Sequence, residues 1–191
     1  MRTSYNKKSY VFLSIIFVIG ILCGLLFLNI IDNETSSNII QKITYYIESN
    51  SLSTSFLLKH IIVLAIIIVF SFFVISIIFS IIYLFYNGLT IGLLISLLYS
   101  ISGLKGLLYS IIYILIVKTI FIILLLFFIS MSMKIGICIF KYFFYKDNDK
   151  INKLIRYFKK TLVIYILIII NDIFVYYVGS NILKIFQVLI S

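Results

Sequence analysis

Five apolar segments limit what this chain can become: Tyr10–Ile31, Ile61–Tyr86, Leu89–Ser102, Leu107–Met133 and Thr161–Val178. A helix that crosses a bilayer needs about 20 apolar residues, and several of these runs reach that length. Inside lipid every backbone N–H and C=O must find its partner within the segment, so such runs become helices. Only 12% of the 191 residues are charged, against about 25% in soluble domains. That difference excludes a soluble fold. The expected architecture is all-α: a polytopic transmembrane bundle of about five crossings in one integral membrane domain, 1–191.

The third segment is short. About 14 residues rise roughly 21 Å, and the hydrocarbon core is about 30 Å thick. It either stops short and is shielded by neighbours, or belongs to a re-entrant hairpin over 88–133. The stretch from Phe85 to Gly106 is also punctuated by Asn87, Gly88, Gly92, Gly103 and Gly106. Glycine in a helix interior costs about 1 kcal/mol relative to alanine. In lipid it instead lets two backbones approach, and Gly88 and Gly92 have the Gly-x-x-x-Gly spacing that does so. Gly20 and Gly24 repeat that spacing in the first segment. The Asn87-Gly88 pair and the Gly103–Gly106 pair predict turns at the two membrane faces.

Basic residues collect on the cytoplasmic side of membrane proteins. Arg2, Lys7 and Lys8 precede the first segment with no acid among them. The loop 134–160 carries eight basic residues against Asp147 and Asp149, whereas the loop 32–59 carries Asp32, Glu34 and Glu48 against Lys42 and Lys59. These counts place the N-terminus inside, 32–59 outside, 134–160 inside and the C-terminus outside. The first segment is too long for a signal-peptide core of about 7 to 15 residues and reads as a retained anchor. In the outer loop, Ile39, Ile40, Ile43, Tyr46 and Ile47 make a helical stripe. The inner loop mixes aromatic residues with lysine from Lys141 to Lys160, the pattern of a basic interfacial helix drawn to lipid. Its juxtamembrane position accounts for the charge, and no nucleic-acid partner is implied.

The chain contains no hydrolase, kinase or phosphate-loop motif. Cys23 and Cys138 fall on different segments and read as small apolar filler. His60 is the one histidine; it lacks metal partners in sequence and reads as a residue of the outer boundary. No catalytic, metal or cofactor site is expected, and the chain is expected not to be an enzyme. Two ionisable residues do interrupt apolar runs: Lys118 and Asp172. Such residues face a bundle interior and find partners. They are expected to meet, either as structural glue that sets helix register or as part of a proton or solute route.

The aromatic-x-Gly-x-x-x-Gly pattern over Tyr86–Gly92, followed by Gly103-Leu-Lys-Gly106 and a further apolar run, resembles the stage II sporulation protein M family of bacterial membrane proteins. The likeness extends more loosely from about Lys7 to Gly179. In that family the last helix typically carries an acid, which singles out Asp172. The family also tends to place a proline-containing polar step after the Gly-Leu-Lys-Gly motif. Here that position reads Val117-Lys118-Thr119, and the chain has no proline. The resemblance implies a membrane scaffold that works with two cell-wall hydrolases, an amidase/endopeptidase and a lytic transglycosylase, to thin peptidoglycan during engulfment. The competing reading, from the intramembrane charges and the short third segment, is a small transporter or channel subunit.

Overall fold

The computed structural model describes residues 2–30, 37–38, 54–73, 76–145 and 149–190. Its elements are α1 (Arg2–Ile30), α2 (Thr54–Phe70), α3 (Ser76–Tyr113), a π-turn (Ile114–Lys118), α4 (Thr119–Tyr145) and α5 (Asp149–Ile190). Isoleucine is abundant in these helices, although in water it favours strands. Lipid reverses that preference, because only a helix satisfies its own backbone. Apart from its first residue, Asn38, the surface helix expected over 38–47 lies outside the described residues.

The expected second segment, Ile61–Tyr86, is two elements. α2 stops at Phe70. The Ser71 N–H donates to the Ile67 carbonyl at 2.9 Å, and the Phe73 N–H donates to the Phe70 carbonyl at 2.8 Å. The Ser71 hydroxyl donates to the Ile68 carbonyl at 2.6 Å. Ser71 is fully buried, so the side chain that closes the turn is sealed inside it.

α3 then runs unbroken through Asn87 and Gly88, where a turn was expected. The Asn87 amide donates to the Tyr83 carbonyl at 2.8 Å. The Thr90 hydroxyl donates to the Asn87 carbonyl at 2.9 Å. Both polar side chains are satisfied by their own helix, so the Asn-Gly pair needs no exit to water. The third segment is therefore the second half of a leg that begins at Ser76. That leg is about 40 Å long at 1.5 Å per residue, which removes both the short helix and the re-entrant hairpin over 88–133.

The reversal comes at Gly103, whose φ of 59° and ψ of −135° interrupt α3. A Cβ on Gly106 would collide with the Leu98 carbonyl. Eight residues of straight helix would separate those positions by about 12 Å, so the chain folds back on itself. Further from the bend, Tyr83 and Phe121 meet around the ring of His60, at 6.0 and 5.1 Å between centroids. The two legs are antiparallel. α4 and α5 are antiparallel as well, because Phe128 faces Tyr165 at 6.5 Å and Lys134 faces Tyr157 at 5.9 Å.

Among the described residues, two stretches are long and apolar enough to span a membrane, 9–27 and 77–144. Five separate crossings are not supported. The break expected at Asn87 does not exist, and α2 is a helix of 17 residues. The basic stretch 134–160 is also no loop: α4 continues to Tyr145 and α5 starts at Asp149.

Among the described residues the core draws on α1 to α5, from Leu13 and Phe17, Leu64 and Ile67, Leu84 and Ile91, Phe121, Leu125 and Phe128, and Ile168. The outside is as apolar as the inside. Val11, Ile15, Val18 and Leu22 of α1, Leu108, Ile111 and Leu115 after the bend, and Val163, Ile166 and Ile170 of α5 are all exposed. Soluble monomers rarely carry apolar surface on this scale, and lipid is a solvent that fits it.

Candidate functional site

Two constellations stand out, one of glycines and one of charges. Gly20 and Gly24 of α1 lie directly against Gly88 and Gly92 of α3. A Cβ on Gly20 would sit 2.5 Å from the Phe85 carbonyl oxygen and 3.2 Å from the Gly88 Cα. A Cβ on Gly92 would sit 2.9 Å from the Leu25 nitrogen and 3.0 Å from the Gly24 Cα. Every one of these neighbours is backbone. Gly20 faces Gly88 and Gly24 faces Gly92, so α1 and this leg of α3 run parallel. Each Gly-x-x-x-Gly is the other's counterpart, an assignment that spacing alone does not make. Gly103 and Gly106 form the bend, and Asn87 lies inside α3 beside the glycine face.

The second constellation is polar and interior. His60 of α2 and Asp172 of α5 form a hydrogen-bonded pair, Nδ1 to Oδ2 at 2.6 Å, with side chains 15% and 10% exposed. Phe121 of α4 lies against the imidazole, and the Lys118 Nζ stands 5.6 Å from the centroid of the same ring. Tyr83 of α3 closes the other side of His60. The Asp172 carboxylate acts electrostatically on both Lys118 and Tyr83. Among the described residues the buried Asn171 amide nitrogen has no hydrogen-bond partner.

The expected direct contact between Lys118 and Asp172 is thus replaced by a shared site in which Asp172 takes His60. α2 ends ten residues after His60, which puts the imidazole about 15 Å along the helix from the turn and within hydrogen-bond reach of Asp172 on α5. Lys118 owes its position to the π-turn, where the Thr119 hydroxyl reaches back five residues to the Ile114 carbonyl at 3.1 Å. A π-turn inserts one residue into the helix and re-aims the side chains beyond it, and it recurs at functional sites.

A third group of residues marks one end of the bundle. The Lys134 Nζ lies 5.6 Å from the Tyr10 ring and 5.9 Å from the Tyr157 ring. It joins α1, α4 and α5 two residues after the basic N-terminal segment ends at Lys8. The basic residues of 134–160 and those of the N-terminus therefore share an end, and the Gly103 bend occupies the other. Among the described residues no group of three His, Cys, Asp or Glu side chains is arranged to hold a metal ion.

Comparison with curated proteins and with solved structures finds no match. The family model described as Stage II sporulation protein M matches residues 13–189, from the core of α1 to the end of α5. With the glycine pairing, the Gly103 bend and the acid on α5 all inside the matched span, the chain belongs to the stage II sporulation protein M family.

Proposed function

We propose that this protein is a non-enzymatic, multi-pass membrane scaffold that positions peptidoglycan hydrolases at the cell membrane during cell-wall remodelling. Family membership over 13–189 is the observation that carries this reading. The fold supports it in kind. Close backbone packing between α1 and α3 makes a rigid body, and a rigid body embedded in lipid holds a partner at a set height and orientation. α1 and both legs about Gly103 cross the membrane, with the N-terminus and the basic 134–160 segment in the cytoplasm and the Gly103 bend outside. The support for that orientation is the contact of Tyr10 with Lys134, which gathers the basic segments at one end. Partners that act on peptidoglycan are then reached from the bend side.

Affinity purification from membranes of the source organism, with partner identification by mass spectrometry, tests the reading. Enrichment of an amidase/endopeptidase or a lytic transglycosylase is the expected result. Enrichment of a nucleotide-hydrolysing or solute-binding transport subunit in their place would overturn it.

A further inference from the structure

The cluster of His60, Asp172 and Lys118 sits where an uncompensated charge is expensive, and its members do not balance in every protonation state. Asp172 supplies one negative charge. Lys118 and the imidazole are two bases that can each carry one positive charge. Around His60 stand Asp172 of α5, Tyr83 of α3 and Phe121 of α4, and the Lys118 Nζ at the end of the π-turn lies over the same Phe121 ring. One residue along, the Tyr165 hydroxyl of α5 donates to the Ile61 carbonyl at 3.3 Å. The cluster is neutral whenever the three groups share a single proton; with Asp172 ionised, exactly one of the two bases carries it. A bare charge inside a lipid-embedded bundle costs up to about 2.5–3.5 kcal/mol on insertion scales, so the neutral states dominate.

We propose that His60, Asp172 and Lys118 form an intramembrane site for a single proton, held at the Lys118 Nζ or at the His60 Nε2 while Asp172 stays ionised. In the first state the imidazole is neutral, and its Nδ1–H donates to the Asp172 Oδ2. In the second the N–H bond at Lys118 is gone and one at Nε2 has formed, so His60 is an imidazolium in the same hydrogen bond. Net charge is the same in both. What changes is the helix that bears the positive charge, the π-turn leg in one state and α2 in the other. α2 and α5 are thus tied by a neutral-donor hydrogen bond in one state and by an ion pair in the other. This inference stands apart from the scaffold reading and concerns what the bundle interior binds.

The protein has a single histidine, so 15N-histidine labelling reports His60 alone. The measurement is the ratio of imidazolium to neutral imidazole by NMR at pH 7, on the full chain in lipid vesicles. Lys118→Met removes the competing base, and the ratio should rise at least about tenfold over wild type, the effect of a change of one unit in proton affinity. Lys118→Met combined with Asp172→Asn should return the imidazole to neutral, because the counter-charge is gone. Lys118→Arg, which cannot give up its proton, should keep it neutral. An unchanged ratio in Lys118→Met would overturn the proposal. If that variant does not fold, wild type decides. An Nδ1 shift of a strong hydrogen-bond donor supports the site, and two ring nitrogens with the shifts of a solvent-exposed imidazole would overturn it.

Discussion

Alanine at Gly92 is the sharpest test of the α1–α3 contact, because two physical effects predict opposite signs. In a helix whose neighbour is lipid, Gly→Ala gains about 1 kcal/mol of helix propensity. In this structure the new Cβ would lie 2.9 Å from the Leu25 nitrogen and 3.0 Å from the Gly24 Cα, and closer still to the Ile21 carbonyl oxygen. Ordinary contacts at a Cβ begin near 3.4 Å. All three neighbours are backbone and cannot rotate aside, so α1 must move outward as a body. Overpacking of this kind costs about 1–3 kcal/mol. In a protein of this size each kcal/mol corresponds to about 2–4 °C in Tm, giving a loss of about 2–12 °C. Cys138 is buried and Cys23 is exposed. In a Cys23→Ser background a thiol-reactive fluorophore therefore reports unfolding through Cys138 alone. Gly92→Leu should lose more than Gly92→Ala, and Leu94→Ile should lose little. A Gly92→Ala protein that melts at or above the parent temperature would refute the close packing.

The same geometry gives three more expected outcomes. Gly103→Ala should destabilise by about 1–3 kcal/mol through its positive φ, although nothing lies within 4 Å of the new methyl; Gly106→Ala should be worse, because its Cβ meets the Leu98 carbonyl, and the same thiol melt compares them. His60→Phe and Asp172→Leu should each lower stability by removing one side of a buried hydrogen-bonded pair, at about 1–3 kcal/mol, while the double variant recovers part of the loss. A double-mutant cycle with no interaction energy would show that the pair is not energetically coupled. Cysteine placed at Asn148 should resist a membrane-impermeant reagent in intact cells while cysteine at Ser36 reacts; the reverse pattern would invert the proposed orientation.

Helix content, the membrane setting and the close-packing glycines are legible in sequence, because apolar length and Gly-x-x-x-Gly spacing act locally. The turn after Phe70 is not. It has no Gly, Pro or charge, and Ser71 closes it with bonds that an ordinary helical serine also makes. Missing it changes which side chains meet. With Ile61–Tyr86 taken as one crossing, His60 falls at the boundary and Asp172 has only Lys118 to meet. With α2 ending at Phe70 as a helix of its own, His60 lies against α5 and becomes the partner. Asn87-Gly88 misleads in the other direction. An Asn-Gly pair marks a turn in water, yet in this helix the amide is absorbed by the Tyr83 carbonyl and the glycine serves α1.

The parallel pairing of Gly20 with Gly88 and Gly24 with Gly92 has a consequence for biogenesis. Parallel helices cannot be neighbours across a tight hairpin, so α1 must wait for a partner that the ribosome has yet to make. At about 5–20 residues per second, the stretch between the two motifs takes seconds to synthesise. During that interval the glycine face of α1 lies open in the bilayer, with α2 already emerging and no counterpart for the groove. The order of assembly is then set by the arrival of α3 rather than by the order of the helices in the chain.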